Sequence, residues 1–166
     1  MTTVFRVVRL FALAAWVGGI VFFGFVAKVA FTSLPDAHEA GIVVRGSLLS
    51  LHQLGLVSGL IYLLATLALL ATQRDTHPVR AAELALVIAM LALTAYSQFS
   101  IIPRMERDRL ALGGDVAKSP TDAPQHKHFD RLHNLSVKFE GAVLVEGLLL
   151  LAMASIHGRD DFDRFA

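Results

Sequence analysis

Two histidines, His52 and His133, could do chemistry together because of where they lie in the chain. His52 is near the start of the second apolar segment and His133 at the start of the fourth. In a bundle whose successive helices run antiparallel, the second and fourth helices start on the same side, so the two rings would lie at a similar depth. Glu140 lies two turns beyond His133 on the same helical face. Facing imidazoles with a nearby carboxylate could ligate a haem iron or a divalent metal, or carry a proton. The same residues could instead form hydrogen bonds that only hold the helices together.

A second group of histidines precedes His133, at His126 and His128, with Asp130 close by. Histidine and carboxylate side chains bind zinc and copper, so two or three members of this group could form a metal site. The spacing matches no strong zinc signature, and solvated histidines in a connecting segment would give the same pattern. The candidate metal ligands are therefore His52, His133, Glu140, His126 and His128.

The polar side chains in or next to the apolar segments gather at one end of them. Ionisable groups are costly in hydrocarbon, so a polar cluster on one side predicts a functional site there. The members of the cluster are Lys28, Arg45, His52, Gln53, Ser97, Gln98, Arg104, His126, His128, His133, Lys138 and Glu140.

Helical spacing predicts which side chains share the pocket with the histidines. In the second segment His52, Gly55, Gly59 and Tyr62 lie on one stripe, and glycines there let another helix or a flat ligand approach closely. The same spacing aligns Arg104 with Ser97 in the third segment, and it aligns one face in each of the others. The predicted pocket and motif residues are Trp16, Gly19, Tyr62, Ser97, Arg104, Met105 and Ser136.

The elements that must position these side chains are four apolar segments of membrane-spanning length. Hydrophobic residues make up 55 % of the 166-residue chain and charged residues 17 %, and the mean hydropathy is +0.59. Residues 10–27, 46–73 and 84–102 contain no charged side chain, and a membrane-spanning helix needs about 20 residues. The fourth segment, 132–157, keeps this length although it contains Lys138, Glu140 and Glu146.

These segments predict an all-α integral membrane protein with a single transmembrane domain over residues 1–166. We expect helices at about 4–31, 43–73, 79–102 and 132–157, and a long loop at about 104–131 that could contain a short amphipathic stretch around Arg104–Leu112. Short connections make neighbouring helices antiparallel, which predicts an up-down-up-down four-helix transmembrane bundle. The Lys and Arg residues on the two sides leave its orientation open. No convincing cleavage site follows the first apolar run, so we expect an uncleaved first helix.

Several function classes lack any support in the sequence. The formal net charge is +1 and the basic residues are dispersed, which argues against binding of nucleic acid. Cysteine is absent, so no disulfide, thiolate nucleophile or cysteine-bound cluster can form. The chain has no phosphate-binding glycine loop, nucleophile elbow or HExxH motif. We therefore predict no catalytic residue, and we lean against an enzyme.

Motifs in all four segments point to one family. They are Trp16-Val17-Gly18-Gly19, Leu51-His52-Gln53-Leu54-Gly55, Ser97-Gln98-Phe99, Pro103-Arg104-Met105 and Phe129-Asp130-Arg131-Leu132-His133 with Ser136. With these motifs the chain resembles a small bacterial four-helix membrane family of unknown function, which is related to the eukaryotic transmembrane protein 205. The resemblance implies a multi-pass protein of the bacterial inner membrane, with His52, Pro103, Arg104, Met105, His133 and Ser136 as motif positions. The eukaryotic relative is linked to platinum-drug resistance, which hints at metal handling. Lys138 and Glu140 depart from the pattern, which implies apolar or amide residues there.

The first helix is also loosely similar to four-helix copper-resistance and haem-dependent porphyrinogen-oxidase membrane proteins. Those proteins have an early histidine that is missing here, where Arg9 lies near its place. This difference weakens the haem hypothesis.

Together these observations predict an integral membrane protein with a His-bearing polar pocket at one membrane face. It would act in metal handling, in transport, or as an accessory subunit of a membrane complex. The alternative is a b-type haem protein that does redox or quinone chemistry with His52 and His133. The cofactor would be haem b or a divalent metal, and the partners would be membrane lipid, other membrane subunits or a second copy of the chain.

Overall fold

The computed structural model of the protein describes the backbone of residues 2–73 and 78–162 and the side chains of residues 2–72 and 80–155. Residues 74–77 of the connection between the second and third predicted helices lie outside these ranges. The elements in the described ranges are α1 (Thr2–Ser33), α2 (Ala37–Gln73), α3 (Pro78–Tyr96), a π-helical segment (Ser97–Ile101), α4 (Ile102–Ala111) and α5 (Pro124–Phe162).

Three stretches of helix are long and apolar enough to cross a membrane. They are Thr2–Ser33, Ala37–Thr72 and Arg80–Ala111, with mean hydropathies of 2.3, 2.3 and 1.9 in their most apolar parts. A span needs about 20 residues. The described chain is thus all-helical, with three candidate membrane spans and a fourth long helix, α5, which is consistent with a membrane protein.

The helix α1 packs along α2 in the antiparallel direction, and Trp16 is at the centre of this contact. A Cβ on Gly55 would lie 2.4 Å from Trp16 Nε1, and a Cβ on Gly59 would lie 2.5 Å from Trp16 Cζ3. Only glycine at both positions therefore admits the indole, which is 2 % exposed. The helix α5 packs against α1 and α3, and α3 packs against α2. The core they enclose includes Leu13, Trp16, Tyr62, Met90, Val143 and Leu150.

Pro103 does not end the third helix, although the sequence predicted an end there. Proline lacks a backbone donor and its ring clashes with the carbonyl four residues earlier. The π-helical segment directly before Pro103 widens the turn, and the chain continues as α4. The wider turn also rotates the residues that follow. Arg104 is consequently exposed, although α-helical spacing had aligned it with Ser97, which is buried.

The long loop predicted at about 104–131 is too long, because the amphipathic stretch expected at Arg104–Leu112 coincides with a helix and the last helix begins before residue 132. The helix α4 occupies residues 102–111 and α5 begins at Pro124, so the connection covers only residues 112–123. Gly113 and Gly114 end α4 with positive φ angles of 81° and 93°, a conformation that glycine adopts without steric cost. Proline suits the first turn of a helix because the donor it lacks would be unpaired there.

A polar contact joins the two connections at this end of the fold. Asp36 caps α2, since its Oδ1 accepts a hydrogen bond from the backbone N–H of His38 at 2.5 Å. Lys118 Nζ lies 3.5 Å from Asp36 Oδ2 and 3.0 Å from Asp115 Oδ2. The His38 N–H lowers the pKa of Asp36 most, and Lys118 lowers it further. The charge of Lys118 is exposed to solvent, so the contact stabilises the connections only weakly.

Candidate functional site

His52 is the centre of a buried polar site between α2, α5 and the π-helical segment. The residue is 1 % exposed. Its Nε2 lies 2.5 Å from Glu140 Oε1 and its Nδ1 lies 3.0 Å from Gln98 Oε1. Burial of His52 in a long apolar helix is possible because both ring nitrogens have polar partners.

The arrangement places a proton between His52 and Glu140. Neutral imidazole carries one N–H, and Nδ1–H is needed to donate to Gln98 Oε1. The Nε2 of a neutral ring must then accept the O–H of a protonated Glu140. If Glu140 is ionised, the ring instead donates from Nε2, either as an imidazolium or as a neutral ring whose Nδ1 accepts from a turned Gln98 amide. In both cases the short Nε2–Oε1 contact holds one proton, which either side chain can carry.

The π-helical segment also brings hydroxyl groups close in sequence to Gln98. Ser97 is 0 % exposed and Thr94, one turn before it, is 2 % exposed. Among the described residues, neither hydroxyl oxygen has a hydrogen-bond partner, although a helical serine or threonine can bond the carbonyl four residues earlier. π-helical turns are frequent at functional sites, and here one carries Gln98.

The predicted pairing of His52 with His133 is wrong, because the ring nitrogens of His52 bond Gln98 and Glu140. His133 is exposed near the start of α5. Its ring stacks on Phe129 with an angle of 3° between the planes and 6.4 Å between the centroids. The prediction placed both histidines on inward faces, but only Glu140 and Ser136, further along the same face of α5, turn toward the interior.

The histidines before His133 do not converge on one point either. His126 Nδ1 lies 2.8 Å from Ser119 Oγ, and His128 Nδ1 lies 2.6 Å from Asp108 Oδ2. These contacts hold the connection and α4 against α5. Within the described residues, no group of three or more His, Asp or Glu side chains could hold a metal ion. A metal site with three of the predicted ligands is therefore not found in that part of the chain.

A cluster of charges also attaches α4 to the start of α2. Arg109 binds both carboxylate oxygens of Glu106, with Nε–Oε2 at 2.9 Å and Nη2–Oε1 at 2.7 Å. Arg45 of α2 donates to the same carboxylate. The bidentate pair lies within α4 and fixes the orientation of the Glu106 carboxylate, and the contact with Arg45 is the one that joins α4 to α2.

A second buried polar cluster, which the sequence analysis did not predict, contains Arg9, Tyr62 and Glu83. Arg9 Nη1 lies 2.9 Å from Glu83 Oε2, and the Arg9 guanidinium lies 5.6 Å from the centre of the Tyr62 ring. Arg9 is 9 % exposed, and Tyr62 and Glu83 are each 1 % exposed. The only signal for it in the sequence was a charged residue near the end of each of two apolar segments.

The remaining predicted pocket residues lie apart from the His52 site. Gly19 lines an open groove of about 510 Å³ between α1 and α2, whose walls include Phe22 and Leu54. Trp16 fills the contact of α1 with α2, and Met105 is half-buried in α4. The residues predicted to share one pocket at one end of the helices therefore lie in several separate places.

The fold and the site together define an all-helical protein of the membrane type with a buried histidine–carboxylate pair. The chain belongs to the family described as Domain of unknown function (DUF4149), whose model matches residues 11–110. The match includes His52 and Gln98 and ends before α5, which supplies Glu140. No curated protein and no solved structure matches the chain.

Proposed function

We propose that the protein is an integral membrane protein with a transport-like function, in which His52 and Glu140 carry a proton through the apolar interior. Its four long helices would cross the bilayer alternately up and down. The observation that supports this function is the 2.5 Å contact of His52 Nε2 with Glu140 Oε1. The contact is formed by an imidazole that is 1 % exposed. Ionisable pairs inside membranes commonly belong to proton relays.

The haem hypothesis has weaker geometric support. A haem ligand needs a free ring nitrogen for the iron, and the Nε2 of His52 is in contact with Glu140. His133, the other proposed ligand, is exposed. Haem ligation at His52 would require Glu140 to move away, whereas proton exchange uses the pair as it stands.

A proton-flux assay with purified protein in lipid vesicles tests the proposal. A pH-sensitive dye inside the vesicles reports proton entry, which a potassium gradient and valinomycin drive. We expect wild-type protein to raise the flux several-fold over protein-free vesicles. Glu140→Gln keeps the volume of the side chain but cannot exchange a proton, so it should return the flux to the protein-free level. His52→Asn should do the same.

Matched controls are present in the same helix. His133→Asn and Lys138→Gln change exposed side chains and should leave the flux at the wild-type value. The proposal fails if wild-type vesicles conduct no protons with the gradient in either direction, or if Glu140→Gln conducts as well as the wild type. A Soret band that disappears in His52→Asn would favour the haem hypothesis instead.

The proposal also covers the membrane in which the protein lies and the family to which it is related. We place the protein in the inner membrane of a bacterium, related to the eukaryotic transmembrane protein 205. The motif residues Trp16–Gly19 and Ser97–Met105 support this kinship. Lipid as the main partner is supported by the exposed phenylalanines on its outer face, of which Phe11 is 73 % exposed and Phe99 71 % exposed.

A further inference from the structure

The cluster of Arg9, Tyr62 and Glu83 contains three polar atoms without a protein partner. Within the described residues, no hydrogen bond reaches Arg9 Nε, Tyr62 Oη or Glu83 Oε1, and all three atoms are buried. Buried polar atoms in proteins are nearly always satisfied by protein or ordered water. These three include a donor, an acceptor and a hydroxyl that does both, so they call for a ligand that both donates and accepts.

The charges of the cluster select the kind of ligand. Arg9 and Glu83 form an ion pair at 2.9 Å, so their charges offset each other locally. An added anion would be repelled by Glu83, and an added cation would be repelled by Arg9. Water is neutral and typically makes about three hydrogen bonds when buried among such groups.

The cluster is separated from the His52 site by apolar packing. Tyr62 lies ten residues after His52 in α2, about 15 Å along the helix axis at 1.5 Å per residue. Gly55 and Gly59 lie between the two, and the indole of Trp16 presses against both. A ligand bound next to Arg9 would therefore occupy a site separate from the one that holds the proton at His52.

We propose that Arg9, Tyr62 and Glu83 form an internal water-binding site inside the helices, on the far side of Trp16 from His52. Water in this site accepts from Arg9 Nε, donates to Glu83 Oε1 and bonds the Tyr62 hydroxyl, through one molecule or several. The site goes beyond the proposed proton function and stands even if His52 and Glu140 carry no proton.

Radiolytic labelling of the full-length protein in detergent micelles tests this site. X-ray pulses convert water to hydroxyl radicals, and a bound water modifies the side chains next to it even where bulk solvent does not reach. Mass spectrometry then gives the oxidation rate of each residue. We expect Tyr62, which is 1 % exposed, to be oxidised several-fold faster than Met90, which is 0 % exposed. Met90 is the control because methionine is readily oxidised when radicals reach it.

Two variants connect the labelling to the cluster. The double substitution Arg9→Met with Glu83→Leu removes both charges and keeps apolar volume, and it should lower the Tyr62 rate to that of Met90. Glu83→Gln is the milder variant and should lower the rate partially if the double variant does not fold by circular dichroism. The proposal is overturned if Tyr62 is labelled no faster than Met90, if both are labelled together because the helices open, or if the variants leave the Tyr62 rate unchanged. Loss of proton flux in Glu140→Gln with Tyr62 labelling intact would separate this site from the His52 function.

Discussion

Gly55→Ala should destabilise the protein because the new methyl group meets the Trp16 indole. The added Cβ would lie 2.4 Å from Trp16 Nε1, 2.8 Å from Cε2 and 3.1 Å from Cδ1. Favourable contacts between carbon atoms begin near 3.5 Å, so the indole would have to move by about 1 Å. Gly59 is in contact with the other edge of the same ring, where its Cβ would lie 2.5 Å from Cζ3. The indole therefore has no room to withdraw along α2.

The magnitude follows from two opposing effects. Overpacking a core costs about 1–3 kcal/mol, whereas replacing a helical glycine by alanine gains up to about 1 kcal/mol in helix propensity. Gly141→Ala is the matched control, because a Cβ at Gly141 would meet nothing within 4 Å. Both variants share the propensity gain, so it cancels in their comparison. Gly55→Ala should be less stable than Gly141→Ala by about 1–3 kcal/mol, the overpacking cost alone.

The free energy of unfolding can be measured by titrating SDS into detergent micelles and following the helix content by circular dichroism. Equal stability of Gly55→Ala and Gly141→Ala would refute the argument from the Trp16 contact. A double-mutant cycle tests the partner directly. Trp16→Phe should lower the stability less in the Gly55→Ala background than in the wild type, since the smaller ring leaves room for the methyl group.

Two further predictions concern charges in other parts of the fold. Arg9→Met alone leaves the Glu83 carboxylate buried without its arginine partner, so we expect it to lower the free energy of unfolding by about 3–5 kcal/mol. Adding Glu83→Leu should restore most of this loss. Equal losses in the single and double variants would contradict the prediction. The lowered pKa of Asp36 means that its contribution is present above the unfolded-state pKa of about 3.9 and is lost as the pH falls through the lower folded-state pKa. Asp36→Asn keeps an acceptor for the His38 N–H and should flatten the dependence of stability on pH below about 4, measured by SDS titration. An unchanged slope would show that the cap does not depend on the charge.

The sequence predicts the helices and the buried stripe of α2 well, because both are periodic features of one segment. As expected, the uncharged runs lie inside α1, inside α2, and inside the helical stretch that runs from α3 to the first residue of α4. His52, Gly55, Gly59 and Tyr62 were placed on one stripe, and all four are buried. A helix of 3.6 residues per turn determines which residues share a face, and the absence of charge determines which faces can be buried.

The partners of these residues could not be predicted in the same way, because they belong to other helices. His52 bonds Glu140, whose position opposite it depends on the register of α5 against α2. In the sequence, Arg9 and Glu83 each have the position of a charge that flanks a membrane segment. A flanking charge that extends to the membrane surface and a charge buried in an ion pair give the same sequence pattern. The exposure of Arg104 depends on the π-helical turn, which Pro103 signalled only as a helix end.

The contact of Trp16 with Gly55 and Gly59 has a consequence for spectroscopy. The chain contains one tryptophan, so all tryptophan fluorescence of the protein originates from an indole held between α1 and α2. Its emission should shift to longer wavelength if α1 and α2 separate and water reaches the ring. Because the indole lies between the His52 pair and the Arg9–Glu83 pair, its fluorescence offers an unlabelled optical signal for movements that connect the two ends of the helices.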